Sequence, residues 1–212
     1  MNSSIFVFLL IGCVVADITE EDGNAYVDKI LRSLKDYSDL ISMPMQDRDI
    51  HLLKLPFAKE VAIEVRLRNG ELNGLYNIKR INDVVVNSNS DSGSIKANLD
   101  LEAVRVNYNT TFKMFKKETN FNLSAIMDNG NVILDLRVNK ENNIVSINEF
   151  ILEKLSGLKV HIDVIGNIFQ WIDNVVKSAL VNSLTRDLTD IATEKLRSAF
   201  ECEINKRPFE TA

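Results

Sequence analysis

Two unlike halves follow one another along this chain. From about residue 61 to 152 apolar and polar residues alternate with a period of two. From about Val160 to Phe200 the apolar residues recur at helical spacing. A period-two strand has one face to hide and a striped helix has one stripe, so neither half can bury its apolar surface alone. The arrangement that serves both is an α+β fold: a long curved antiparallel sheet wrapped around a long C-terminal helix, with room for an apolar channel between them.

The strand half reads in detail. Val61, Ile63, Val65 and Leu67 alternate with Ala62, Glu64, Arg66 and Arg68. Asn69-Gly70 predicts a turn, and a second strand runs from Leu72 to Val86 with Gly74 easing a bend. Asp91-Ser92-Gly93 turns the chain again. Ile95, Ala97, Leu99, Leu101 and Ala103 then share one parity, whereas Val104, Val106 and Tyr108 share the other. A change of parity inside one strand is the mark of a bulge and adds curvature. Phe112 and Met114 continue the apolar face, and Phe121, Leu123, Ala125 and Met127 alternate with polar neighbours. Asn129-Gly130 predicts a two-residue hairpin into Val132, Leu134, Leu136 and Val138, and Lys140 to Asn143 turns into a strand from Ile144 to Leu152. Five or six long antiparallel strands result, without a βαβ rhythm.

Helices flank the sheet. Val27, Ile30, Leu31, Leu34, Leu40 and Ile41 keep helical spacing, and Thr19 with Asp22 forms a capping box that uses the shorter acid. Pro44 and Pro56 bracket a segment, 44–58, expected to be an extended, exposed loop that holds His51. In the last helix Val164, Ile168, Trp171, Ile172, Val175 and Ala179 start a stripe. Leu180, Leu184, Leu188, Ile191, Ala192, Leu196 and Ala199 continue it, drifting round the axis as a helix wrapped over a wide arc requires.

Ile5 to Val15 is apolar apart from Gly12 and Cys13, and Val14-Val15-Ala16 places small residues before Asp17. Such a run is shorter than the ~20 residues that span a bilayer. It fits a signal peptide at 1–16, cut after Ala16, and no later stretch is of transmembrane length. The expected product is secreted and extracellular, one domain covering 17–212, of ordinary single-domain size. Its formal charge of −5, without a long basic run, argues against nucleic acid as a partner. Cys13 leaves with the leader, so Cys202 has no intramolecular partner and is expected as a packed thiol near a helix end.

The motifs of catalysis are absent: no G-x-S-x-G elbow, no H-E-x-x-H, no P-loop and no G-x-G-x-x-G. His51 and His161 fall in different elements, neither with a second ligand at metal spacing, so neither a metal nor another cofactor is expected. Asp47, Arg48 and Asp49 read as an exposed ion cluster. Arg66 and Arg68, and Lys113, Lys116 and Lys117, could meet an anionic head group, but a solvated charged face is the preferred reading.

Two stretches, Gly74-Leu75-Tyr76-Asn77-Ile78-Lys79-Arg80-Ile81 and Gly93-Ser94-Ile95-Lys96-Ala97, resemble the core of the group 7 mite allergens. Ser156-Gly157-Leu158, taken as opening the long helix, and Ala199-Phe200, closing it, are similar as well. The resemblance covers nearly the whole chain after the leader. It implies a super-roll, the architecture also implied for the juvenile hormone-binding and takeout-like proteins and the bactericidal permeability-increasing proteins. Those hormone carriers have an N-terminal cysteine pair that is absent here, so the resemblance does not extend to juvenile hormone as ligand. The chain is long enough for one roll, not two.

The function expected is a secreted, non-enzymatic carrier or sensor of a hydrophobic small molecule or lipid. The alternative is a protein-interaction module that modulates innate immune recognition, with a filled core. The expected channel wall is Val65, Leu67, Leu99, Leu101, Val106, Phe112, Met114, Phe121 and Leu123 from the sheet, faced by Ile168, Trp171, Ile172 and Val175 from the helix. Asn109-Thr110-Thr111 and Asn122-Leu123-Ser124 are glycosylation sequons, and strand parity turns both asparagines outward.

Overall fold

The computed structural model describes residues 17–55, 58–114, 116–153, 157–162 and 170–210, with side chains throughout except at 52–62 and 170–175. The leader, Val164 and Ile168 lie outside the described residues, as do the side chains of Trp171, Ile172 and Val175.

Helix α1 (Glu20–Leu34) starts where the capping box predicts. The Thr19 hydroxyl accepts from the Asp22 N–H at 3.1 Å, and the Asp22 carboxylate accepts from the Thr19 N–H at 3.0 Å. Tyr26, Val27, Ile30, Leu31 and Leu34 are its buried face. The chain breaks before a short α2 (Ser38–Ile41), which buries Leu40 but leaves Ile41 exposed rather than on the expected stripe.

Among the described residues nine strands form one antiparallel sheet: β1 (Ser42–Met45), β2 (Arg48–Leu55), β3 (Ala58–Asn73), β4 (Ile78–Arg80), β5 (Val85–Ser88), β6 (Ser92–Met114), β7 (Lys117–Asn139), β8 (Ile144–Leu152) and β9 (Lys159–Ile162). Its spine is the β6–β7 hairpin of 23 residues per strand, paired from Ser92↔Asn139 to Met114↔Lys117. At ~3.3 Å per residue such a strand reaches roughly 75 Å. Along β6, β4 and β5 occupy the first part and β3 the second. Along β7, β9 pairs near the start and β8 near the end.

Several expectations change. The described residues of segment 44–58 are strands, not a loop: β1 and β2 pair with β3, and 56–57 lie outside the described residues. Pro44 is tolerated because β1 is the last strand of the sheet order, where a missing N–H breaks no ladder. Asn69-Gly70 makes a bulge within β3, not a turn. Asn69 takes a left-handed φ of 52°, the register against β6 shifts by one between Arg68 and Glu71, and the Tyr108 ring occupies the space a Cβ on Gly70 would need. The run from Leu72 to Val86 divides instead of forming one strand. Gly74, at φ 94°, bends the chain after β3, close against the Ala103 carbonyl.

Asn129-Gly130 makes no hairpin; β7 runs straight through it. The parity change in β6 is real and falls at Ala103, whose φ is 53°. β7 changes face at the same level: Met127 and Val132 are both buried, and the pairing on either side (Glu102↔Asn129, Val104↔Met127) keeps its offset. Both strands of the spine therefore switch faces together without an extra residue, and the apolar face stays continuous from end to end.

Helix α3 (Gln170–Lys206) starts later than expected and runs further. Val160 and His161 belong to β9, and Gly157-Leu158 precede that strand rather than opening the helix. Its buried line is Val176, Leu180, Leu184, Leu188, Ala192, Leu196, Phe200 and Ile204, a residue every four. At 100° per residue, each step of four overshoots a full turn by about 40°. The line thus winds most of the way round the helix, which suits a partner surface that curves about it. The helix packs against β8, β9, α1 and α2, and its buried residues join those of the sheet in a single core. No described helix is long and apolar enough to cross a membrane.

Candidate ligand-binding interior

All nine sheet residues expected in the wall are buried and inward. Val65, Leu67, Leu99, Leu101 and Val106 have no exposure, Leu123 has 1%, Phe112 7%, Met114 8% and Phe121 9%. Leu99 and Leu101 share the face with Phe112 and Met114 only because of the switch at Ala103. The nine do not converge on one pocket. From Leu99 to Met114 is fifteen residues of one strand, roughly 50 Å. They mark a long inner surface, and the three slightly exposed residues lie toward the β6–β7 turn.

Two inward residues of β6 are polar. Tyr108 is 2% exposed, its hydroxyl donates to the Gln46 carbonyl at 3.2 Å, and burial pushes its pKa up to about 12. Thr110, also 2% exposed, has a hydroxyl with no hydrogen-bond partner. Thr110 was legible as a member of the apolar parity of Tyr108, Phe112 and Met114; its lack of a partner was not.

The outer face is ionic and self-neutralised. Arg66 donates to Glu64 at 2.8 Å and lies 3.6 Å from Glu118, and the first contact lowers the Glu64 pKa. Arg68 pairs with Asp49 and donates to the carbonyls of Arg48 and Leu67. Lys113 stands opposite Glu118 in the register, and Lys116 and Lys117 are exposed. Asp47, Arg48 and Asp49 are more than a surface cluster. Asp47 accepts from the Asn69 N–H at 3.0 Å in the β3 bulge, and Arg48 lies 2.6 Å from Asp187 in α3. Asp187 is buried, and burial raises its pKa against the pull of Arg48. His51 in β2 and His161 in β9 are exposed on opposite flanks of the spine, and the described residues contain no group of three metal-ligating side chains.

At the other end of α3, Glu203 is buried as a hub. It accepts from Tyr37 at 2.6 Å, Lys206 at 2.9 Å and Arg207 at 3.0 Å. Burial alone would raise its pKa; these three hydrogen bonds outweigh that and hold it down at about 2. Cys202 beside it is exposed rather than packed, and the neighbouring Tyr37 hydroxyl and Lys206 ammonium lower its thiol pKa. Asn109 and Asn122 are both exposed, and they are direct cross-strand partners on the outer face.

A sheet of this form, rolled about one long helix with an apolar inner surface, defines a super-roll. Among solved structures the chain is similar to a lipopolysaccharide binding protein, with a TM-score of 0.55 at 11% identity over 85% of this chain. It spans only 38% of that protein's length. Takeout 1 of Epiphyas postvittana is also similar, with a TM-score of 0.46 at 10% identity, over 89% of this chain and 91% of that one. No curated protein sequence matches. The family model of the group 7 allergens matches residues 22–202, and the chain belongs to that family.

Proposed function

We propose that this protein is a secreted, non-enzymatic carrier or sensor that holds a hydrophobic small molecule or lipid between its sheet and its long helix, as one domain, 17–212, after removal of a leader at 1–16. The observation that carries the reading is the long inner face, apolar along β6 apart from Tyr108 and Thr110 and kept on one side by the paired switch of β6 and β7. Binding is non-covalent. Hydrocarbon moved out of water contributes ~25 cal/mol per Å². The wall comprises the nine sheet residues together with Ile168, Trp171, Ile172 and Val175 of the segment that leads into and opens α3. The likeness to a lipopolysaccharide binding protein supports an amphiphile as cargo.

Protein purified from a eukaryotic host and extracted with organic solvent is expected to release a stoichiometric apolar compound in the mass spectrum. The single tryptophan, Trp171, is expected to report saturable binding of added long-chain ligand. Loss of both signals would end the carrier reading. Secretion is tested by N-terminal sequencing, expected to begin at Asp17. Glycosylation at Asn109 or Asn122 is tested by the mass lost to glycosidase.

One observation favours a protein partner as a second reading. Ile81 and Val85 are 52% and 59% exposed along the same edge of β6, level with Asn98 and Lys96. A charged residue at both positions is expected to abolish a protein contact there without touching ligand binding.

A further inference from the structure

Thr110 stands at an inward position of β6, between Tyr108 and Phe112 along the strand, with Leu67 of β3 and Phe121 of β7 as its cross-strand partners. Its surroundings are therefore apolar, apart from a Tyr108 hydroxyl already engaged with Gln46. Although the side chain is 98% buried, its hydroxyl pairs with nothing. A hydroxyl taken out of water without a partner is destabilising, and valine would fill the same volume with equal strand preference. The position also marks a border: exposure is 2% at Tyr108 and Thr110, then rises to 7%, 8% and 9% at Phe112, Met114 and Phe121.

We propose that Thr110 is the polar anchor of the inner surface, its hydroxyl forming a hydrogen bond with a neutral oxygen, of an alcohol, ketone or ester, on an otherwise hydrocarbon ligand. The proposal rests on the carrier reading and names the ligand chemistry of that same site. The oxygen is neutral because a buried carboxylate needs a cation. The described cations of β3 and β6 at this level, Arg66, Arg68 and Lys113, are on the outer face, and Arg48 of β2 is engaged with Asp187. Leu67, Phe112 and Phe121 then enclose the carbon adjoining the oxygen.

The test compares tetradecane, 1-tetradecanol and tetradecanoate, delivered from cyclodextrin, as competitors of the bound apolar dye N-phenyl-1-naphthylamine. The wild type is expected to bind the alcohol tightest. Thr110→Val is expected to weaken the alcohol about three- to tenfold, the worth of one neutral hydrogen bond, while tetradecane stays within about twofold. Thr110→Ser restores the alcohol. Thr110→Val is also expected to unfold at no lower urea concentration than the wild type, which shows that the variant is folded. An alcohol bound equally by Thr110→Val and wild type overturns the anchor and leaves the carrier reading standing. Tetradecanoate bound more tightly than the alcohol overturns the neutral head. If neither protein binds dye or hydrocarbon, the carrier reading falls and the anchor with it.

Discussion

The two ends of this sheet use the same hairpin differently. Before Ala103, β6 carries Ile95, Ala97, Leu99 and Leu101 with no exposure, beside β4 and β5 in the sheet and with α1 packed over Ile95 at Gly23. Rings close that end: Tyr26 lies 5.2 Å from Phe209 and Phe150 lies 5.8 Å from Phe200. Polar ties lock it, including the Glu203 hub, Arg80 on Asp28 at 2.9 Å and the Tyr26 hydroxyl on the Arg207 carbonyl. Beyond Ala103, Phe112, Met114 and Phe121 are each slightly open, and Thr110 lacks a partner. Among the described residues, the four-residue β9 pairs with the β7 flank there. The described ring pairs and the Glu203 hub hold one end; the other has neither, and is the looser end in that sense.

The sharpest way to break the contrast is to empty each end in turn. Phe200→Ala is expected to cost ~4 kcal/mol, because a fully buried ring paired with Phe150 leaves a cavity that the rigid end cannot collapse. Met114→Ala at the looser end is expected to cost ~2 kcal/mol, the low end for a buried methionine, because its site already opens slightly to water. Urea denaturation of both variants measures this. Equal costs would mean that both ends are packed alike.

Glu203 sharpens the contrast electrostatically. Its pKa falls from 4.5 to about 2 on folding, so it contributes stability that is complete above the unfolded value and lost as pH drops through the folded one. Glu203→Gln is expected to cost ~2–3 kcal/mol at pH 7. The gap to wild type should narrow steadily below pH ~4.5. A gap independent of pH would show that shape, not charge, holds the hub.

What could be read in advance divides along physical lines. The Thr19–Asp22 cap was legible because both partners sit within one turn, and the face switch at Ala103 because parity is a local pattern. The start of α3 was not, because Val160 to Ile162 is too short for a period of two to show against 3.6. Asn-Gly misled twice for one reason: the dipeptide states tolerance of unusual backbone, not its use. At Asn69 that tolerance serves a bulge under Tyr108, and at Asn129 no positive φ occurs. The inward placement of the nine sheet residues followed from parity, whereas the unpaired Thr110 hydroxyl and the Glu203 and Asp187 contacts depend on which strand or helix arrives opposite, which no local pattern encodes.

Asp187 tests whether the looser end is tied to the helix by charge, and it carries the smallest expected effect. Its partner Arg48 belongs to β2, beside the β3 bulge, and lies 2.6 Å from Oδ2, yet that oxygen has no aligned hydrogen bond. Burial therefore dominates and raises the pKa, the opposite of Glu203 on the same helix. A carboxyl whose folded pKa is raised favours folding while protonated, at low pH, and loses that contribution as pH rises through the folded value. At pH 7 the buried charge is a burden that Arg48 only partly offsets. Asp187→Asn removes the charge and keeps the shape, and the half-exposed Arg48 can turn to water. The variant is expected to match or exceed wild type by up to ~1 kcal/mol at pH 7, with the difference vanishing near pH 3, where the native carboxyl is neutral as well. Urea melts at the two pH values decide it. A loss above ~2 kcal/mol at pH 7 would make the ion pair a clamp on the looser end, and the division of labour between the ends would have to be redrawn around it.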